Sequence, residues 1–105
     1  MYIVIKKQTR PNETVEFFNL ASSLISPEAR EYFRSNYKTT GKLVFADVAV
    51  SPDGLTQTAT MMWESKQVYD DFLADPTINA QIRDIDNEYR TANGIVTELV
   101  STEEI

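Results

Sequence analysis

LVFADVAVSPDGLTQTATMMW, residues 43–63, reads as two strands joined by a turn, and that reading decides the fold. Residues 43–50 carry one charge, Asp47, among apolar residues that include three valines, a strand pattern. Ser51-Pro52-Asp53-Gly54 then supplies a tight turn: proline sets φ at its second position and glycine accepts a left-handed conformation. If the loop holds three residues, Ser51 faces Leu55 and the pairing runs on to Leu43 opposite Trp63. One hairpin face then carries Leu43, Phe45, Asp47 and Ala49 with Gln57, Ala59, Met61 and Trp63. The other carries the smaller set of valines, alanine and threonines, with Met62. Small side chains let helices approach closely, so the small face is expected under the helices. The face of Phe45, Met61 and Trp63 is expected toward a dimer interface or a cavity.

Upstream of this hairpin, YIVIKKQT (2–9) is β-branched and aromatic, a first strand with apolar residues on both faces near its start. Pro11 and Asn12 break it. Asn12 suits a helix N-cap, Glu13 and Glu16 suit the positive end of that helix, and Phe17, Phe18, Ala21, Leu24 and Ile25 recur at helical spacing. Ser26-Pro27-Glu28 restarts the signal, with Ala29, Tyr32, Phe33 and Tyr37 continuing an apolar stripe to about Lys38. Downstream, Ser65 caps KQVYDDFL, Asp75-Pro76 interrupts, and Ile78, Ile82, Ile85 and Tyr89 mark a second stretch that stops at Asn93-Gly94. IVTELV, residues 95–100, is the last strand.

The order is β-α-β-β-α-β, an α+β ferredoxin-like arrangement in which one antiparallel sheet carries its helices on one face, with residues 1–105 as a single domain. Such strands would alternate more cleanly if the other face were wet. No element of the chain remains to cover it, so a second copy, packed sheet to sheet, is the expected partner.

Composition narrows the function. The chain carries a net charge of −6, which disfavours nucleic acid and anionic membranes, since both need a basic footprint. The charge is uneven: seven Lys/Arg against four Asp/Glu up to residue 42, and three against twelve beyond it. Zero cysteines and zero histidines remove disulfides, thiolate metal sites, the cysteine nucleophile and the commonest acid–base group. No cofactor or metal is expected. Lacking a signal-peptide pattern and any stretch long enough to span a bilayer, the chain is expected in the cytoplasm.

The element order and the passage WESKQVYDDFLADP, residues 63–76, resemble the dimeric α/β-barrel superfamily and, within it, the antibiotic biosynthesis monooxygenase-like domains. That resemblance implies two sheets paired into a barrel, with a cavity between each sheet and its helices. It also implies activities that include cofactor-free oxygenation, haem breakdown, isomerisation and plain ligand binding. Haem breakdown in such proteins uses an axial histidine, which is lacking here. Cofactor-free oxygenases of the kind use tryptophan, asparagine, tyrosine and arginine around an aromatic substrate. Trp63 alone carries over, by its place at the end of the third strand.

Each candidate residue has a functional and a plainer reading. Phe45, Met61 and Trp63 would form an apolar floor for a flat ligand, or simply pack an interface or core. Asp47 among apolar neighbours would make a proton-abstracting base; an inward charge on an edge strand also discourages edge-to-edge association. Asp84 and Glu88 stand four residues apart, with Asp86 placed on another side; a solvated acidic face is preferred to a metal pair. Arg30, Arg34 and Lys38 form a basic row that could hold a carboxylate or phosphate, although surface pairing is the commoner use. The preferred expectation is a homodimeric binding or assembly domain. The alternative is a cofactor-independent monooxygenase or isomerase acting on a flat acidic organic substrate, and a structural subunit of a larger assembly ranks third.

Overall fold

The hairpin that decides the fold forms between β2, Leu43–Val50, and β3, Thr56–Trp63. With β1, Tyr2–Thr9, and β4, Val96–Glu104, these strands make one antiparallel sheet of order β2-β3-β1-β4. The computed structural model describes residues 1–19 and 22–105. The β-α-β-β-α-β order expected from the sequence is observed, and β2 lies at an edge of the sheet.

The register differs from expectation by one residue. Ser51 faces Thr56, its amide donating to the Thr56 carbonyl at 2.8 Å, so Leu55 belongs to the loop. Two bonds hold it there: the Leu55 amide donates to Asp53 Oδ1 at 3.0 Å, and the Leu55 carbonyl accepts from the Arg10 amide at 2.9 Å. Pairing then runs Val50 with Gln57 to Phe45 with Met62, and a bulge between Leu43 and Phe45 restores Leu43 opposite Trp63.

A one-residue slip exchanges faces. Gln57, Ala59, Met61 and Trp63 turn toward the helices with Tyr2, Val4, Lys6 and Gln8 of β1, and Ala46 and Val48 share that side. Phe45 and Asp47 lie on the opposite, open face with Met62, Thr60 and Thr58. The expected grouping of Phe45 with Met61 and Trp63 therefore does not hold: Met61 and Trp63 of β3 meet the helices together with the small Ala46 and Val48 of β2, where the small face alone was expected. The physical reason is the hold of Arg10 and Asp53 on Leu55, which keeps that residue in the loop and sets the register.

Helix α1, Pro27–Phe33, is capped by Ser26, whose Oγ accepts from the Ala29 amide at 3.1 Å, and runs on as a π-helical turn, Arg34–Lys38. Helix α2, Lys66–Ala74, is capped in the same way by Ser65. Asp75 interrupts it and caps the short α3, Pro76–Ile78, which passes through a second π turn, Asn79–Arg83, into α4, Asp84–Asn93. Gly94, with φ of 69°, closes α4 in the left-handed conformation.

The helix expected to begin at Asn12 does not form over residues 13–19, and Ala21 lies outside the described residues. Side chains take the carbonyls that a helix would have used. Arg10 Nη1 donates to Val15 O at 2.8 Å, Tyr89 Oη to Glu16 O at 2.6 Å, and Gln8 Nε2 to Phe18 O at 2.8 Å. Arg10 also binds Gly54 O through Nε at 2.8 Å and stacks 4.3 Å over Phe17, tying this segment to the hairpin loop.

Between sheet and helices the core is aromatic. Trp63 is wholly buried, with Phe72 at 4.7 Å, Tyr69 at 5.5 Å and Tyr37 edge-on at 6.1 Å between ring centroids. Its Nε1 is buried without a hydrogen-bond partner among the described residues, so the side chain contributes through packing.

Candidate functional site

Beyond that aromatic core, toward the other end of the sheet, helices and strands part to leave a cleft of about 730 Å³. Its floor is Lys6 and Gln8 of β1 with Gln57, Ala59 and Met61 of β3. Its apolar walls include Phe18, Ile25, Phe33, Phe72 and Ile82. A volume of this size accommodates a small organic molecule.

Charge separates this cleft from the rest of the surface. Lys6, Lys7, Arg30, Arg34, Lys38, Arg83 and Arg90 line it, against Asp47 and Asp86. Seven of the ten cations of a chain with net charge −6 are thus gathered in one place. The paired ones are readily identified. Arg34 forms a two-pronged bridge to Glu31 at 2.6 Å, and hydrogen bonds from Arg34 and Ser35 hold the Glu31 carboxyl down to about 2. Lys7 lies 3.9 Å from Glu98, and Arg90 is bridged to Asp86.

Lys6, Arg30, Lys38 and Arg83 have no carboxylate at ion-pair distance among the described residues. Arg30 and Arg83 are instead held in place by neutral oxygens. Arg30 Nη2 donates to Ser22 O at 2.8 Å, and Arg83 Nη1 donates to Leu73 O at 2.9 Å and to Asn79 Oδ1 at 2.8 Å. Neutral acceptors orient a guanidinium while leaving its charge uncompensated, which suits it to an incoming anion. Lys6 is exposed on the cleft floor; partial desolvation first, then the charges of Arg83 and Arg90, lower its pKa, against a smaller opposing effect of Asp86.

The two π turns place much of this charge. Each inserts an extra residue into a helical turn, a distortion found frequently at functional sites. The first carries Arg34 and Lys38, and the second carries Arg83. The second also changes the phase of the helix that follows. After Ile78 and Ile82, the inward positions become Asp86, Tyr89 and Arg90, while Ile85 is 40% exposed. Regular helical spacing would have put Ile85 inside and Asp86 to one side, which is why the sequence alone does not single Asp86 out.

Asp86 is half-buried at the edge of the cleft. Its Oδ2 accepts from Arg90 Nη2, while its Oδ1 is buried and has no hydrogen-bond partner among the described residues. Burial raises its pKa, against the opposing effects of Arg90, Lys6 and Arg83. At the far end of the floor, Gln8 Nε2 lies 3.4 Å from Oε1 of the buried Gln57, and Gln8 Oε1 has no hydrogen-bond partner among the described residues.

The residues singled out by sequence fall in different places. Met61 lines the cleft; Trp63 lies in the core; Phe45 is 48% exposed on the open face. Asp47 is exposed on the edge strand at the cleft rim, opposite Thr60. Asp84 and Glu88 are exposed, and no cluster of metal-ligating side chains occurs among the described residues. Nor, among those residues, is any helix long and apolar enough to cross a membrane.

No family model matches the chain, and no curated protein matches it in sequence. Solved structures do match in fold. One is a candidate antibiotic biosynthesis monooxygenase of Deinococcus radiodurans, 11% identical at a TM-score of 0.57 over 100% of this chain and 92% of that one. Another is a dimeric ferredoxin-like protein from an uncultured marine organism, 11% identical at a TM-score of 0.63 over 99% of this chain and 90% of that one. The likeness is one of fold: the chain has the ferredoxin-like architecture of the antibiotic biosynthesis monooxygenase-like domains that its element order resembles.

Proposed function

We propose that this protein is a homodimeric binding domain whose cleft takes a small organic acid with a flat apolar body. The observation that carries the reading is the set of four cations, Lys6, Arg30, Lys38 and Arg83, left without carboxylate partners around an apolar cleft. Lys6, Arg30 and Lys38 are exposed and Arg83 is partly so, which leaves their charge open to an arriving anion. Phe33, Phe72 and Met61 would receive the flat body while Arg30 and Lys38 receive the acid group. Self-association through the open sheet face is supported by the exposed Phe45 there and by the dimeric ferredoxin-like neighbour.

Titration calorimetry with benzoate, 1-naphthoate and the uncharged 1-naphthamide tests this reading. Saturable binding of the two acids, tighter for naphthoate and weak for the amide, supports an anion cleft with an apolar wall. Equal binding of acid and amide, or none of either, refutes it.

A second reading, cofactor-independent oxygenation or isomerisation of such an acid, draws on the fold shared with the Deinococcus radiodurans protein and on the apolar cleft. That chemistry needs a group inside the cleft able to take a proton from the ligand. Asp47, exposed on the edge strand and turned to the open face, is badly placed for the task.

A further inference from the structure

The acid–base equipment of the cleft is concentrated at one end, where α4 and its preceding π turn face β1. Asp86 is the only carboxylate lining the cleft on its helix side among the described residues. The charged groups around it are Lys6 from β1, Arg83 from the π turn and Arg90 from its own helix. Its two oxygens are unequal. Oδ2 is engaged by Arg90, whereas Oδ1 is removed from water and, among the described residues, accepts from none; Arg90 Nε is likewise buried and without a partner among them. An unmet acceptor beside an unmet donor and two further cations is the counterpart of a group that first donates a proton and then carries negative charge. A weakly acidic hydroxyl, phenolic or enolic, has both properties.

We propose that Asp86 is the proton acceptor of the cleft, taking the proton of a phenolic or enolic hydroxyl on the bound acid, with Lys6 and Arg83 holding the resulting oxyanion. The inference rests on the reading of the cleft as an organic-acid site. The ligand O–H bond breaks and its proton passes to the Asp86 carboxylate. The electron pair stays on the ligand oxygen, where the two cations stabilise it. No electron changes hands and no further reactant is needed. Charge is conserved within the cleft, so it can form an oxyanion without releasing a proton to water. Burial acts in the same direction, since it favours the neutral carboxylic acid over the carboxylate.

The test compares 4-hydroxy-3-nitrobenzoate, whose phenolate is yellow, with 3-nitrobenzoate, which has no hydroxyl. The pH is set below the free phenol's own pKa. The wild-type complex is expected to be yellow, with a binding heat that does not depend on the ionisation heat of the buffer, because the phenol proton stays in the protein. In Asp86→Asn, 3-nitrobenzoate should still bind, and the hydroxy acid should bind either colourless or yellow with one proton released per site. A wild-type complex that is colourless, or yellow with a proton released, overturns the proposal, as does identical behaviour of the variant. Both measurements on the wild type stand even if the variant fails to fold. Failure of 3-nitrobenzoate to bind the wild type would overturn the organic-acid reading itself and the proposal with it.

Discussion

Tyr37 donates its hydroxyl to Asp75 Oδ2 at 2.5 Å, and Tyr32 donates to the same oxygen at 2.9 Å. The other oxygen, Oδ1, accepts from the amides of Thr77 and Ile78 at 2.9 and 3.3 Å and so caps α3. One carboxylate therefore joins α1 and its π turn to the break between α2 and α3. Opposite the cleft's charged end, this tie closes the aromatic core over Trp63.

Replacing Asp75 by Ala should cost about 2–4 kcal/mol of unfolding free energy in urea, the sum expected for a lost cap and two hydroxyls left without their charged acceptor. The pH dependence has a fixed sign. Burial raises the Asp75 carboxyl, but hydrogen bonds from Tyr37, Tyr32 and the Ile78 and Thr77 amides outweigh it and hold it below the usual 3.8. The stabilisation is accordingly complete above that value and is lost as pH falls through the lower folded-state value. Asp75→Ala should remove this acid-side loss from the stability profile.

Trp63→Ala should destabilise the fold by roughly 3–5 kcal/mol, the range for deleting a fully buried aromatic side chain. Trp63→Phe should cost less, since Nε1 has no partner to lose. In the Phe variant the affinity for 1-naphthoate should remain that of the wild type, because Trp63 does not line the cleft. Wild-type emission should be blue-shifted and poorly quenched by iodide. An affinity that falls with Trp63→Phe at unchanged stability would place the indole in the ligand site instead.

Arg30→Gln and Lys38→Met should each weaken carboxylate binding about tenfold, equivalent to ~1.4 kcal/mol for one charged contact. Both variants should flatten the fall of affinity with added salt, because each removes one charge from the attraction. Arg34→Gln should have little effect, since Glu31 already neutralises that guanidinium. Calorimetry across a salt series separates these outcomes, and equal effects from all three would argue against a local anion site.

Much of the fold was legible because its signals are local. Ser26 and Ser65 as caps, Pro27 at a helix start and Gly94 at a helix end all act within a few residues of themselves. The face of the hairpin was not, because it turned on whether Leu55 paired in the strand or stayed in the loop. That choice is made by Arg10, distant in sequence, and by Asp53. The missing helix after Asn12 has the same origin, with Gln8, Arg10 and Tyr89 reaching in for its carbonyls. At the site, Met61 was visible as a large apolar residue on a strand. Asp86 was hidden by the π turn over Asn79–Arg83, whose change of helical phase leaves no mark that a regular spacing count can register.

The open sheet face provides the remaining test. Ile3 and Ile5 of β1, Met62 of β3 and Phe45 of β2 lie on it, among Thr58 and Thr60. Two such faces packed together would cover these apolar residues and leave Asp47, on the edge strand, near the rim, where it can stay wet. A stable dimer needs about 800 Å² from each partner, which a four-stranded face can supply. Wild-type protein should therefore run as a dimer at micromolar concentration in light scattering. Ile5→Glu should shift it to monomer, since the charge would be buried against its own copy at the two-fold contact. Met61→Glu, on the helix side of the same sheet, should damage ligand binding or stability while the folded fraction remains dimeric. A monomeric wild type, or an Ile5→Glu variant that stays dimeric, would mean that something other than this face holds the copies together.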